Sequence, residues 1–354
     1  MSRFFSNKYA HLTPYTPGEQ PRDRRYIKLN TNESPFPPSP KALERAAAAA
    51  ENLQLYSDPT ALALKQKLAQ CSGVQPEQVF CSNGSDEVLY FAFLAYCDKN
   101  TPAAFPDISY GFYKVFAQFT GIDYTMIPLQ EDYSIREEDY FSLGKTIFIA
   151  NPNAPTGKLL TLAQIERILQ NNPSNVVLID EAYIDFGGES AVKLVDRYDN
   201  LLVTQTFSKS RSLAGGRLGM AFGNAKLIQD LETVKFSINP YNVNSVTMAA
   251  GIGALEDEEY TRKNCGIIME NRAYTAKKLE EMGFTVLPSF ANFLFASPPG
   301  GDGGSLYKAL KDKGILVRYF DATRLREFVR ITIGTRQQMD ALLEATSQIL
   351  EETP

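Results

Sequence analysis

Short, β-rich apolar runs recur along the first two thirds of the chain, each separated from the next by enough residues for a crossover. They occupy residues 79–81 (Val-Phe-Cys), 103–105, 146–150 (Thr-Ile-Phe-Ile-Ala), 176–179 (Val-Val-Leu-Ile) and 201–204 (Leu-Leu-Val-Thr). Strands without a polar face need cover on both sides, and parallel neighbours need long connections. Helical patterns over residues 41–54 and 87–97 supply such cover. The pattern predicts an α/β chain with a mainly parallel sheet between layers of helix.

The flanks read differently. Residues 1–40 carry Pro14, Pro17, Pro21, Pro35, Pro37, Pro38 and Pro40, and neither a period of 2 nor one of 3.6 survives there, so this is an arm. After about residue 243 a long helical tract reaches residue 282, with Met269, Ala273, Ala276 and Leu279 on one face. Strand-like stretches at 284–287, 292–295, 315–317 and 328–333 then surround a helix near 306–313. Met339, Leu342, Leu343, Thr346, Ile349 and Leu350 mark a last helix. The expected division is an arm over 1–40, a large α/β domain over 41–245 and a smaller α+β domain over 246–354.

Composition removes several functions. Thirty-six Lys and Arg against 41 Asp and Glu give a net charge of −5, which argues against a surface devoted to nucleic acid or anionic membrane. The longest apolar run, about ten residues, is well short of a bilayer span. The N-terminus lacks the apolar stretch of a secretory signal, so the expected location is cytoplasmic. Four scattered cysteines with no CxxC pair read as reduced thiols. The single histidine, His11, lies in the Pro-rich arm; it leaves no multi-histidine zinc site, and no metal is expected. Acid-base chemistry must therefore rest on Lys, Tyr, Asp, Glu or a cofactor.

Four turns at the ends of apolar runs could carry that chemistry. Ser82-Asn-Gly-Ser-Asp-Glu87 opens a helix, whose first N–H groups and dipole suit an anion, provided that Asp86 and Glu87 turn away or meet an arginine. Asp180, in Asp180-Glu-Ala-Tyr183, could pair with a protonated ring nitrogen, while Tyr183 could donate to a phenolate. Lys209, among small hydroxyl residues, could form a Schiff base if desolvated, and Arg217 has the planar fork for a phosphate. Asn151-Pro-Asn-Ala-Pro-Thr-Gly157 is a rigid turn. Singly each is an ordinary loop; in this order, at successive strand ends of one sheet, they form a constellation.

That order, over nearly the full length, resembles the fold-type I aminotransferases that use pyridoxal 5′-phosphate. The resemblance implies a large domain with a mainly parallel seven-stranded sheet and a smaller α+β C-terminal domain. It implies that Lys209 holds the cofactor covalently, that Asp180 lies under the pyridinium nitrogen and that Tyr183 donates to the ring 3′-oxygen. Ser85 and Asp86 through backbone N–H groups, with Ser208 and Arg217, would hold the phosphate, and Tyr110 would stack on the ring. Tyr56 would reach the phosphate in a partner subunit, hence a homodimer with shared sites. The family loop reads NPNNPTG, its last asparagine touching the 3′-oxygen. Here Ala154 stands at that place, so either Asn153 takes over the contact, as expected, or the contact is absent.

Within the family, Leu12-Thr-Pro-Tyr15, Leu29-Asn-Thr-Asn-Glu-Ser-Pro35, Pro240-Tyr-Asn-Val-Asn244, Ala291-Asn-Phe293 and Val329-Arg-Ile-Thr-Ile-Gly334 resemble the branch that exchanges an amine between glutamate and a phosphorylated imidazole substrate. Arg330 would hold the substrate's anionic end, with Tyr15, Asn32 and Arg318 as further substrate contacts. A threonine-phosphate decarboxylase or an aromatic amino-acid aminotransferase on the same scaffold is the alternative.

Overall fold

Val177–Asp180 lies at the middle of the large sheet, buried throughout between Thr146–Ala150 and Leu201–Thr206. The computed structural model describes residues 2–9 and 12–352, so His11 falls outside the described residues. Across the sheet the order is Val79–Ser82, Gly219–Gly223, Leu201–Thr206, Val177–Asp180, Thr146–Ala150, Ala103–Pro106 and Tyr124–Ile127. Six strands are parallel, and Gly219–Gly223 runs antiparallel to both neighbours. The fold is thus α/β with the mainly parallel seven-stranded sheet expected.

Alternation along the strands divides the core between two faces. Ile147, Ile149, Val177, Ile179 and Val203 pack on one side. Phe80, Phe105, Phe148, Leu178 and Leu202 pack on the other. Each such side chain, fully removed from water, contributes roughly 1.5–3 kcal/mol before the entropy of ordering is charged against it. Local signals set the covering helices. Ser39 accepts from the Ala42 N–H at 3.2 Å with Pro40 next, which starts Pro40–Ala50. Thr161 and Gln164 form a reciprocal capping box that starts Leu162–Gln170.

The tract read as one long helix is two, Ser245–Leu255 and Glu258–Glu281. Ala250, Ala254 and Leu255 join the core under the large sheet, whereas Cys265, Ile268 and Leu279 join the smaller core. Core membership thus changes at the break between these helices, beyond the expected 245/246 division. The second sheet is antiparallel, in the order Arg318–Tyr319, Val329–Thr332, Phe293–Ser297, Thr285–Val286.

The arm does not hang free. Ile27–Lys28 pairs in parallel with Ile315–Leu316, and Thr332 N–H donates to Leu29 O at 2.9 Å. These bonds lead residues 30–33 across the carboxyl ends of the large-sheet strands, where ligands gather in open α/β sheets. Among the described residues no helix is long and apolar enough to cross a membrane.

Candidate active site

The turns at the strand ends converge on a cavity of about 370 Å³, lined by Ser85, Asp86, Tyr110, Asp180, Tyr183, Ser208, Lys209 and Arg217 among others. At one end, Gly84 (φ 78°) turns the chain into Ser85–Tyr96, whose first N–H groups have no side-chain cap. Gly219 of the adjacent strand makes this turn possible: a Cβ there would lie 2.4 Å from Gly84 C and Ser85 N. The acids of the first turn find the partners they need. Asp86 meets Arg217 at 3.3 Å and accepts from the Tyr110 hydroxyl at 2.8 Å. Glu87 accepts from Asn83 N–H at 2.7 Å and from the Asn242 amide at 2.5 Å. Ser208 N–H donates to Thr206 Oγ1 at 3.1 Å, and the two hydroxyls lie 3.0 Å apart.

Asp180 ends its strand with its carboxylate buried. The Tyr113 hydroxyl donates to Oδ2 at 2.9 Å and Ala182 N–H to Oδ1 at 3.3 Å. Burial, opposed by the Tyr113 bond, pushes this carboxyl up to about 7. Lys209 reaches into the same cavity and donates to Thr31 O at 3.3 Å. Burial, reinforced by the charge of Arg330, lowers its ammonium to about 8. A lysine so placed releases its proton near neutral pH and becomes a nucleophile and base.

A second cavity of about 470 Å³ adjoins the first and shares Thr31, Tyr110, Ala154, Tyr183 and Lys209 with it. Tyr15, Asn32, Arg318 and Arg330 line it. Arg330 donates to Asn30 O at 3.1 Å and sits against the rings of Phe293 and Phe320, and its Nε is buried with no hydrogen-bond partner. A buried guanidinium with a donor left over is one that an anion could satisfy. Arg318 is spent differently, holding the arm by Thr16 O at 3.0 Å and Pro17 O at 3.1 Å. Tyr15 packs on Phe112 at 4.4 Å, and Asn32 donates to the Tyr183 hydroxyl at 3.0 Å.

Two expected residues lie elsewhere. Asn153 is buried below the loop, its amide donating to Ile108 O at 3.0 Å and Thr156 Oγ1 at 3.1 Å and its carbonyl accepting from Ser109 at 2.8 Å. The loop presents Pro152 and Ala154 to the first cavity instead, so the expected shift of Asn153 is not what the structure shows. Tyr56 is 84% exposed, stacked on Tyr241, and lines neither cavity of its own chain. Conversely, Tyr113, whose hydroxyl holds Asp180, belongs to none of the four turns. Its signal was the spacing in Ser109-Tyr-Gly-Phe-Tyr113, which puts Tyr110 and Tyr113 one helical turn apart.

A cavity that sets a lysine opposite a buried aspartate, with a helix N-terminus and an arginine at one end, belongs to a known class of enzyme. The chain is a member of the aminotransferase class I and II family, whose model matches residues 24–345. Its relatives are more particular. It is 48% identical to the histidinol-phosphate aminotransferase of Brachyspira hyodysenteriae, covering 99% of this chain and all of that one. It is 50% identical to the enzyme of the same name from Marinomonas sp., covering 98% and 99%. Among solved structures, histidinol-phosphate aminotransferase from Sinorhizobium meliloti in complex with pyridoxal-5′-phosphate superposes with a TM-score of 0.85 at 24% identity, over 94% of this chain and 93% of that one.

Proposed function

We propose that this chain is a pyridoxal-phosphate-dependent aminotransferase of histidine biosynthesis, interconverting histidinol phosphate and 2-oxoglutarate with imidazole-acetol phosphate and glutamate. The observation that carries the reading is the pair of adjoining cavities joined at Lys209, one lined by the helix start at Ser85 and by Arg217, the other by Arg330, whose buried guanidinium keeps one donor without a partner. The relatives named above give the substrate.

The residues present fit the cofactor. The helix N-terminus at Ser85 and Asp86, with Ser208 and Arg217, would take its phosphate, and Tyr110 would cover its ring. Asp180 would pair with the ring nitrogen, Tyr183 would donate to the 3′-oxygen, and Lys209 would hold the aldehyde carbon. When bound, the cofactor supplies a sink for the electrons left on the substrate carbon. Asp180 would support that sink as an anion, a form that the Tyr113 bond favours and that a protonated ring nitrogen beside it would hold against its burial. Lys209, once released, takes the proton from the substrate Cα with an amine that is part neutral near pH 8. Arg330 accepts a carboxylate from glutamate and a phosphate ester from the imidazole substrate, since its fork suits both. Tyr15 and Arg318 close the arm over the second cavity.

The active form would be a homodimer in which Tyr56 of each copy reaches its partner's phosphate end. Its exposure, among the exposed Leu53, Leu55, Leu62, Phe236 and Ile238, supports this reading. The working place would be the cytoplasm. Lys209→Ala tests the reading: it should abolish both the absorbance band of the covalent lysine–cofactor linkage in the reconstituted protein and turnover. Turnover at the wild-type rate would refute it. Release of carbon dioxide from threonine phosphate would mark the decarboxylase instead.

A further inference from the structure

The hydroxyl of Tyr183 stands on an otherwise apolar wall. Tyr183 packs against a small cluster of Ala154, Ala291 and Phe293, edge-on to the Phe293 ring at 5.1 Å. With Asn153 committed beneath its own loop, the wall beside Tyr183 is completed by the methyl group of Ala154. The direction of the Tyr183 O–H bond therefore decides whether this wall offers a donor to the cavity.

That direction follows from a chain of hydrogen bonds beginning at a backbone amide. Asn32 N–H, which can only donate, gives its hydrogen to Thr332 Oγ1 at 2.9 Å. The Thr332 hydroxyl gives its own hydrogen to Asn32 Oδ1 at 3.1 Å. The remaining side-chain atom of Asn32 is thus the amide nitrogen, which donates to Tyr183 Oη at 3.0 Å. Tyr183 accepts there, so its proton must point elsewhere, and the open side is the cavity. Asn32 is held further by Asn292, whose amide donates to Asn32 O at 3.1 Å, and it occupies the left-handed region at φ 56°. Asparagine tolerates that region better than most residues.

We propose that Asn32 is a positioning residue that aims the Tyr183 proton into the cofactor cavity, and that Thr332 sets the Asn32 amide for that task. The inference rests on the reading that this cavity holds pyridoxal phosphate. Thr332 lies two residues after Arg330, on the same face of Val329–Thr332, and Arg330 grips Asn30 as Thr332 grips Asn32. The donor that faces the cofactor is thereby tied to the strand that carries the substrate's arginine.

The charged groups acting on Tyr183 are Arg330, Asp180 and Asp86, and the Lys209 ammonium lies 5.8 Å from its ring centroid. None of them is altered by changing Asn32 or Thr332. A donor aimed at the cofactor's phenolic oxygen stabilises the form that has lost a proton, so weakening it should raise the pH at which the bound cofactor changes colour. The experiment is a pH titration of visible absorbance in the protein reconstituted with pyridoxal phosphate. It compares wild type, Asn32→Ala, Thr332→Val, Thr332→Ser and the Asn32→Ala/Thr332→Val double variant, with melting temperatures in parallel.

Asn32→Ala and Thr332→Val should each raise the midpoint by roughly half a pH unit to one unit, the size of one neutral hydrogen bond. Thr332→Ser, which keeps the hydroxyl, should retain the wild-type midpoint, and the double variant should shift no further than Asn32→Ala alone. A wild-type or lowered midpoint in either single variant overturns the proposal. Loss of the fold or the cofactor in both also overturns it, because a positioning role leaves the core and the phosphate cradle intact. Absence of cofactor colour in the wild type would refute the underlying reading instead.

Discussion

Asp180 and Glu181 are adjacent buried carboxyls with different duties. Glu181 accepts from Ser190 Oγ and Ala191 N–H at 2.6 Å and from Gln205 at 2.8 Å, so it fastens the loop behind the strand, whereas Asp180 faces the cavity. Burial pushes each of them up to about 7. The folded protein therefore keeps protons that the unfolded chain releases between about pH 4 and 7. The stability each contributes is fully present below the ordinary carboxyl range and lost as the pH rises through about 7. In the cofactor-free protein, Asp180→Asn should gain melting temperature relative to wild type as pH rises across that window, and in the pyridoxal-phosphate-loaded protein the same change should lower turnover by roughly 10²-fold or more. A difference in melting temperature that is constant with pH would contradict this account. Arg330→Ala should lower kcat/KM for both substrates by about 10- to 100-fold, the worth of a charged hydrogen bond, with unchanged steady-state kinetics as the opposing result. At this scale the polar turns of the sequence revealed Lys209, Asp180 and Arg217 because each follows an apolar strand. Tyr113 and Thr332 stayed hidden, since a helical tyrosine and a strand threonine look like ordinary core.

Gly219–Gly223 escaped a reading by pattern because its terminal glycines resemble breakers. The structure gives the reason: Gly219 lets the strand pass directly under the Gly84 turn, and Gly223 packs against Leu201 O. Tyr124–Ile127 carries a weak strand signal for another reason. It is a short edge strand, largely exposed, without the unbroken apolar character of its neighbours. The helical tract near residue 250 was legible as helix but not as two helices, since Glu256 and Asp257 interrupt it without a Gly or Pro. Gly219→Ala tests the element directly. Its Cβ would press on backbone that cannot swing away, so it should cost about 1–3 kcal/mol of stability in denaturant unfolding. It should also weaken cofactor binding, because the displaced atoms belong to the turn proposed to hold the phosphate. Wild-type stability and affinity would show that the close approach does not matter.

Across the whole molecule, the residues that hold the site come from every region: the arm at Thr31 and Asn32, the large sheet at Asp180 and Lys209, and the small sheet at Arg330. In the proposed homodimer, the exposed patch around Leu55 and Tyr56 would extend this logic to a second copy. Leu55→Asp should convert a dimer in sedimentation to a monomer of much reduced activity; a fully active monomer would remove the shared site. The central claim is that the two cavities form one transamination site. It is tested most directly by the visible spectrum of the pyridoxal-phosphate-loaded protein before and after separate additions of glutamate and of histidinol phosphate. The account expects a coloured cofactor whose band bleaches with each amine donor alone, whereas a spectrum unchanged by either, or a protein that takes up no cofactor, would contradict it.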